Sequence, residues 1–303
     1  MRGFLLDLLR FVPFAAVGYA LWVLFFAEIS GLGQIPNQVY LRGVDGASLE
    51  RFNELRTTKP GLDLLVLGSS HAYRGVDTRN FPGLRTFNMG SSAQTHVQTE
   101  LLVDRYVERL EPKFILCVVN EITMTADGAE SALDLIANDS IGMDTWRMAL
   151  ALRSVKVFQS LLYAQYLQAQ SAWRKPPHYP PSYEERYIPG GFCEKPIMHY
   201  PAHPMKPKVL VAAPQQALAF LRVVGSIRDR GIPLLIIRPP ITSVLHGSYT
   251  NLAEFDSLFR STGYPYIDFQ GMVPLDDSLH FYDAHHMNQD GVDRFNAVLW
   301  EYL

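Results

Sequence analysis

Residues Asp63–Asp77 read DLLVLGSSHAYRGVD. The apolar run Leu64-Leu65-Val66-Leu67 has no polar alternation, the pattern of a strand covered on both faces, as in a parallel sheet. It stops at Gly68-Ser69-Ser70. Open α/β sheets collect their ligands at the carboxyl ends of strands, so two hydroxyls at this point are candidates for chemistry. Taken alone, Gly-Ser-Ser after a strand is more often a turn or a helix cap. The decisive question is whether the chain supplies a base for one of these hydroxyls.

Outward from this stretch, further β-like runs occur at Leu62–Leu67, Arg85–Met89, Phe114–Val119, Leu234–Ile237 and Tyr266–Phe269. Helical spacing of apolar residues separates several of them, over Thr99–Leu110, Gln215–Arg230, Asn251–Ser261 and Asn288–Tyr302. Strands alternating with helices predict a three-layer α/β sandwich with a mainly parallel sheet. The alternation breaks between about Ile122 and Lys208. Ala129–Ala172 has a helical pattern, and Lys175–Pro207 is rich in proline, tyrosine and histidine. A loop this long within a domain is usually functional or poorly ordered, and the whole stretch reads as an insertion over one end of the sheet.

The chain has 303 residues, a formal net charge of −3 and 48% hydrophobic content. It is neither basic enough to indicate nucleic acid nor biased enough to indicate disorder. Two cysteines do not make a disulfide framework, and Cys117, inside an apolar run, reads as a buried small hydrophobe. Phe11–Ala27 carries no charge and follows Arg2 and Arg10. At about 1.5 Å per residue it is near the lower limit for a bilayer span, and Phe4–Leu9 can extend it. It reads as an uncleaved anchor rather than a buried helix, because it has no polar face. No A-x-A-like site comes after it to mark a signal peptide. Positive charge before the span and Glu28 after it favour a cytoplasmic amino terminus and an extracytoplasmic globular part. The predicted organisation is an anchor over residues 1–30, a lead-in over 31–59 and a catalytic domain over 60–303.

A serine hydroxyl is a weak nucleophile until a base takes its proton, and the base needs a third group to fix its tautomer. Tyr282-Asp283-Ala284-His285-His286-Met287-Asn288 offers both groups. On a turn entering a helix capped by Asn288, Asp283 can fold back onto His286 Nδ1, leaving Nε2 for a serine. His285 is the competitor. His71 is expected to line the site and Arg74 to bind an anionic group or, more simply, to pair with Asp77 or Asp63. His199 and His203 have metal-ligand spacing on a helix, but Pro201 and Pro204 argue against a helix there. Neither a metal nor a cofactor is expected.

Gly68-Ser69-Ser70 near the start of the domain, with Asp283-x-x-His286-x-Asn288 near its end, resembles the SGNH (GDSL-like) hydrolase superfamily. The resemblance runs from about Leu62 to the carboxyl terminus, outside the insertion, and implies an SGNH/flavodoxin-like fold. It implies Ser70 as nucleophile, His286 as base and Asp283 as its orienter. It further implies oxyanion donors from the Ser70 amide, from Gly90 in Asn88-Met89-Gly90-Ser91, and from Asn120 in Val118-Val119-Asn120-Glu121. The last segment lacks the glycine that usually opens this motif.

An amino-terminal anchor ahead of such a domain resembles the proteins of alginate O-acetylation and lipoteichoic-acid D-alanylation. That implies O-acyl transfer, with acetyl as the favoured group, to an extracytoplasmic polysaccharide or polyol, and an integral-membrane O-acyltransferase as partner. The same triad would serve a membrane-anchored carbohydrate esterase, and a non-catalytic glycan- or partner-binding scaffold is the third reading.

Overall fold

A computed structural model describes residues 2–30, 46–170 and 185–303. Residues 31–45 of the lead-in and 171–184 of the proline-rich stretch, His178 among them, lie outside the described residues. The chain groups into two compact units: Met1–Val44 with Leu135–Tyr179, and Asp45–Asp134 with Pro180–Leu303.

The second unit holds the sheet. Its strands are β1 (Leu64–Leu67), β2 (Thr86–Asn88) and β3 (Phe114–Val118), then an antiparallel pair, β4 (Arg186–Ile188) and β5 (Phe192–Glu194), then β6 (Leu234–Arg238) and β7 (Tyr266–Asp268). Five of them form one parallel sheet in the order β2-β1-β3-β6-β7. This is a doubly wound arrangement whose direction of winding reverses between β1 and β3, the place where such sheets open a crevice. Leu67 pairs with Cys117 at that seam, so the residues leaving β1 and β3 emerge side by side.

The helices follow from capping and periodicity. Around the sheet are α2 (Gly46–Thr57), α3 (Ser70–Tyr73), α4 (His96–Leu110), α5 (Glu121–Thr125), α9 (Pro214–Asp229), α10 (Ser243–His246), α11 (Leu252–Arg260) and α12 (Gln289–Leu299). A Thr95–Gln98 capping box starts α4, and Asn288 Oδ1 accepts from the Gly291 amide at 3.1 Å to start α12. Leu64, Val66, Leu116, Val118, Leu235 and Ile237 share one core with Val292, Phe295 and Leu299 of α12. The interleaved Leu65, Ile115, Cys117 and Ile236 are equally buried, and α4 packs beside α9. Covered faces on both sides make the three layers. The helix α2 falls within the stretch read as a lead-in; its Leu49, Phe52 and Leu55 are buried. Cys117 and Cys193 are both buried, and no disulfide joins them.

The helical part of the expected insertion divides into α6 (Ala129–Asn138), α7 (Met143–Leu152) and α8 (Val155–Ala169). Arg153 in the left-handed region breaks α7 from α8. In the first unit, α8 packs beside the amino-terminal helix α1 (Arg2–Ser30). Leu9–Ala27 of α1 is long and apolar enough to cross a membrane.

Candidate active site

The turn after β1 admits only glycine at its first position. Gly68 has φ +147, and a Cβ there would lie 2.6 Å from the Val118 carbonyl oxygen. The close approach of β3 lets the chain reverse at once into α3, which begins at Ser70. The two serines then part company. Ser69 is buried, and its Oγ accepts from Asn120 Nδ2 at 3.0 Å. Ser70 Oγ lies 2.7 Å from His286 Nε2.

His286 is held from every side. Its Nδ1 sits 2.9 Å from Asp283 Oδ2 and 3.0 Å from Oδ1. Its ring stacks on Tyr282 at 5.5 Å and faces the His71 ring at 4.9 Å. Asp283 Oδ1 also accepts from the amides of His285, at 2.7 Å, and His286, at 2.8 Å. Burial would raise the Asp283 pKa, but the His286 ring and these amides outweigh it and hold the carboxyl at about 2. An ionised Asp283 can only accept, so the ring proton of His286 sits on Nδ1 and Nε2 is the acceptor that faces Ser70. His285 contributes its amide to this turn rather than its ring to the serine.

Asn120 follows β3 and caps α5: its Oδ1 accepts from the Thr123 amide at 3.0 Å. That fixes the other end of the side chain. Nδ2 points to Ser69 Oγ and to His71 Nδ1, the latter at 3.1 Å. An amide NH2 only donates, so His71 carries its proton on Nε2 when neutral. Burial, together with the neighbouring His286 and His285, pushes the His71 pKa well below the ordinary value. His71 is thus an uncharged imidazole that steadies both Asn120 and the face of His286.

Ser70, His71, Arg74, Asn120 and His286 line a cleft of about 250 Å³. Two sequence expectations need correction here. The Gly90 amide turns inward and donates to Asn88 Oδ1 at 3.1 Å, because Asn88 closes the turn locally. The residues that this loop presents to the cleft are Ser92 and Ala93. Ala93 adopts φ 46, an uncommon conformation for a residue with a Cβ. Its amide has no hydrogen-bond partner among the described residues. Arg74 pairs with neither Asp77 nor Asp63. Asp77 Oδ1 accepts from the Arg79 amide and its Oδ2 meets the Arg79 guanidinium, while Asp63 takes Lys113 and the Arg85 amide. The partner of Arg74 is Glu185, 111 residues away in sequence.

The floor beside Asn120 is ionic. Arg238, at the end of β6, is buried and meets Glu121, Asp256 and Asp268. Glu121 Oε1 lies 2.6 Å from Arg238 Nε, yet neither atom has an aligned hydrogen bond. Charge attraction rather than direction holds this pair, and burial raises the Glu121 pKa against it. Among the described residues no group of three or more histidines, cysteines or carboxylates has the arrangement to hold a metal ion.

No family model matches the sequence, and no curated protein matches it. Among solved structures the chain is similar to a proposed acylhydrolase from Bacteroides fragilis NCTC 9343, at 12% identity over 86% of this chain and 97% of that one, with a TM-score of 0.43. It is similar also to a GDSL-like lipase from Bacteroides thetaiotaomicron VPI-5482, at 10% identity over 85% and 98%, again with a TM-score of 0.43. A gut microbial diltiazem-metabolizing enzyme matches at 10% identity over 82% of this chain and 49% of that one, with a TM-score of 0.32. Likeness at these scores carries no inference about activity. The chemistry has to come from the residues and their geometry.

Proposed function

We propose that the cleft performs acyl transfer through a serine ester. The observation that carries this reading is the relay of Ser70 Oγ to His286 Nε2 at 2.7 Å, with His286 Nδ1 on Asp283. Ser70 Oγ attacks the carbonyl carbon of an ester while its proton passes to His286 Nε2. The carbon–oxygen bond to the leaving alcohol breaks, and that alcohol takes the proton from His286. An acceptor hydroxyl then gives its proton to His286 and attacks the acyl-serine; the bond from the acyl carbon to Ser70 Oγ breaks and Oγ takes the proton back from His286. Asp283 stabilises the imidazolium at each stage. The oxyanion needs donors about 2.7–3.1 Å away; the Ser70 and Ala93 amides lie along the cleft, and Asn120 Nδ2 joins them when the oxyanion takes the place of Ser69 Oγ or His71 Nδ1 as its acceptor.

The geometry serves hydrolysis and transfer alike. The transfer reading, to a polysaccharide or polyol outside the cytoplasm with an integral-membrane O-acyltransferase as donor, comes from the resemblance of motif and anchor. The packing of Val23 and Ala27 of α1 into a cluster with Tyr163 supports a retained helix rather than a removed leader. Purified full-length protein, given p-nitrophenyl acetate with and without an oligosaccharide acceptor, tests the reading. The expected result is acetylated acceptor formed at the expense of free acetate. Hydrolysis unaffected by acceptor would leave an esterase, and full biological activity in Ser70→Ala would leave a scaffold.

A further inference from the structure

His71 is bonded at one ring nitrogen and unpartnered at the other. Nδ1 accepts from Asn120 Nδ2 at 3.1 Å, which leaves the ring proton on Nε2. Nε2 is buried and has no hydrogen-bond partner among the described residues, and the residue as a whole is only 7% exposed. A buried N–H without an acceptor costs about as much as a lost hydrogen bond. An oxygen from outside the chain is the group that would complete it.

The two nitrogens of an imidazole diverge widely. With Asn120 on Nδ1, the Nε2–H is turned away from the oxyanion side of the cleft. A small pocket that His71 shares with His286 but not with Asn120 or Ala93 lies on that other side. Ser70, His71, Arg74, Pro239, His285 and His286 are among its walls, and its volume is about 10 Å³, room for one group the size of a hydroxyl. It has Ser70, His71, Arg74, His285 and His286 in common with the cleft, so one ligand can reach into both. Arg74, the cation of the pocket, is already engaged by Glu185, which suits the pocket to an uncharged oxygen rather than an anion.

The reaction divides along the same line. The oxyanion forms toward Asn120, while the alcohol oxygen exchanges its proton with His286 Nε2. The His71 ring faces that of His286 at 4.9 Å, and the His285 ring stands edge-on to it at 6.0 Å. The alcohol half of the ester therefore passes beside the small pocket.

We propose that His71 is a specificity-determining residue for that alcohol: its Nε2–H donates to a second oxygen, on the carbon next to the one that carries the acyl group. The site thus selects vicinal diols and sugars, which bear hydroxyls on adjacent carbons, over simple alkanols. The inference rests on the serine-ester reading of the cleft and narrows its acceptor.

The test gives full-length protein 2-hydroxyethyl acetate and propyl acetate, a pair of similar size in which a hydroxyl stands in place of a methyl. For each ester kcat/KM is measured by acid release and divided by its rate with hydroxide, which removes the difference in leaving-group acidity. Wild type is expected to favour the hydroxyethyl ester roughly tenfold. His71→Asn, whose side-chain carbonyl can still accept from Asn120, and His71→Phe, which has no acceptor, should both bring the ratio close to one. His71→Asn should keep more of the rate on propyl acetate. A ratio near one in wild type overturns the proposal and leaves the N–H to a resident water. A tenfold ratio that survives in both variants overturns His71 as its source. If neither ester shows turnover that Ser70→Ala abolishes, the serine-ester reading falls and this inference with it.

Discussion

The proposed active site has two halves built in different ways. The proton-transfer half is made of two self-contained turns. Asp283 holds the amides of His285 and His286 within its own segment, and Gly68 bends the chain so that Ser70 leaves β1 at once. The oxyanion half is distributed: Asn120 from β3 answers to Ser69, His71 and Thr123, and the loop after β2 presents a left-handed Ala93. Local turns survive small shifts of the sheet, whereas a donor shared among three partners moves with any of them. The first half should fail all at once, and the second by degrees.

The largest expected effect is on the relay. Ser70→Ala and His286→Ala should each lower kcat by roughly 10⁴- to 10⁶-fold, and the double variant should lose little more, since the two act as a unit. Additive losses in steady-state kinetics would break the contrast between the halves. Asp283→Asn should cost about 10⁴-fold by favouring the wrong tautomer. Its stability effect has a pH signature. The folded pKa of about 2 lies below the ordinary 3.8, so the ionised carboxylate stabilises the fold above pH ~4 and ceases to as pH falls through about 2. Urea midpoints of wild type and Asp283→Asn should therefore converge across that window.

Asn120 sharpens the comparison further. Asn120→Asp keeps a cap for α5 and removes the NH2 donor, so the rate should drop roughly 100- to 1000-fold with thermal stability nearly unchanged. Asn120→Ala should lose the same rate and also about 1 kcal/mol of cap. Equal stability of the two variants would show that the Thr123 cap is unimportant. The smallest effect is expected at Ala93. Glycine there relieves the left-handed strain, worth about 1–2 kcal/mol, against a loss of about 0.5–1 kcal/mol in backbone entropy. A Tm shift of only a few degrees with activity retained is the expected outcome.

The same division governs what could be read in the sequence. The five strands were legible because a run such as Leu234–Ile237 is apolar without alternation, and the Asp283–His286 pairing because it closes within one short turn; the choice of Ser70 over Ser69 came from the family resemblance alone. Asn120 came only from the resemblance of Val118-Val119-Asn120-Glu121 to a family motif. Ala93 was not legible, since an alanine gives no sign of positive φ; the cleft had to be seen. Nor was Glu185 as the partner of Arg74, because a pairing across 111 residues leaves no local trace. The helix α2 went unread for a related reason. Arg51 on its inner face is buried by stacking on Tyr73 and donating to the Gly191 carbonyl and Cys193 Sγ, and an arginine at such a position breaks the apolar stripe.

Ser70 and His286 stand 216 residues apart in the chain. Only the packing of the turn before α12 onto the end of β1 brings the proposed nucleophile to its base. Loosening that helix from the core would therefore separate the two without touching either residue.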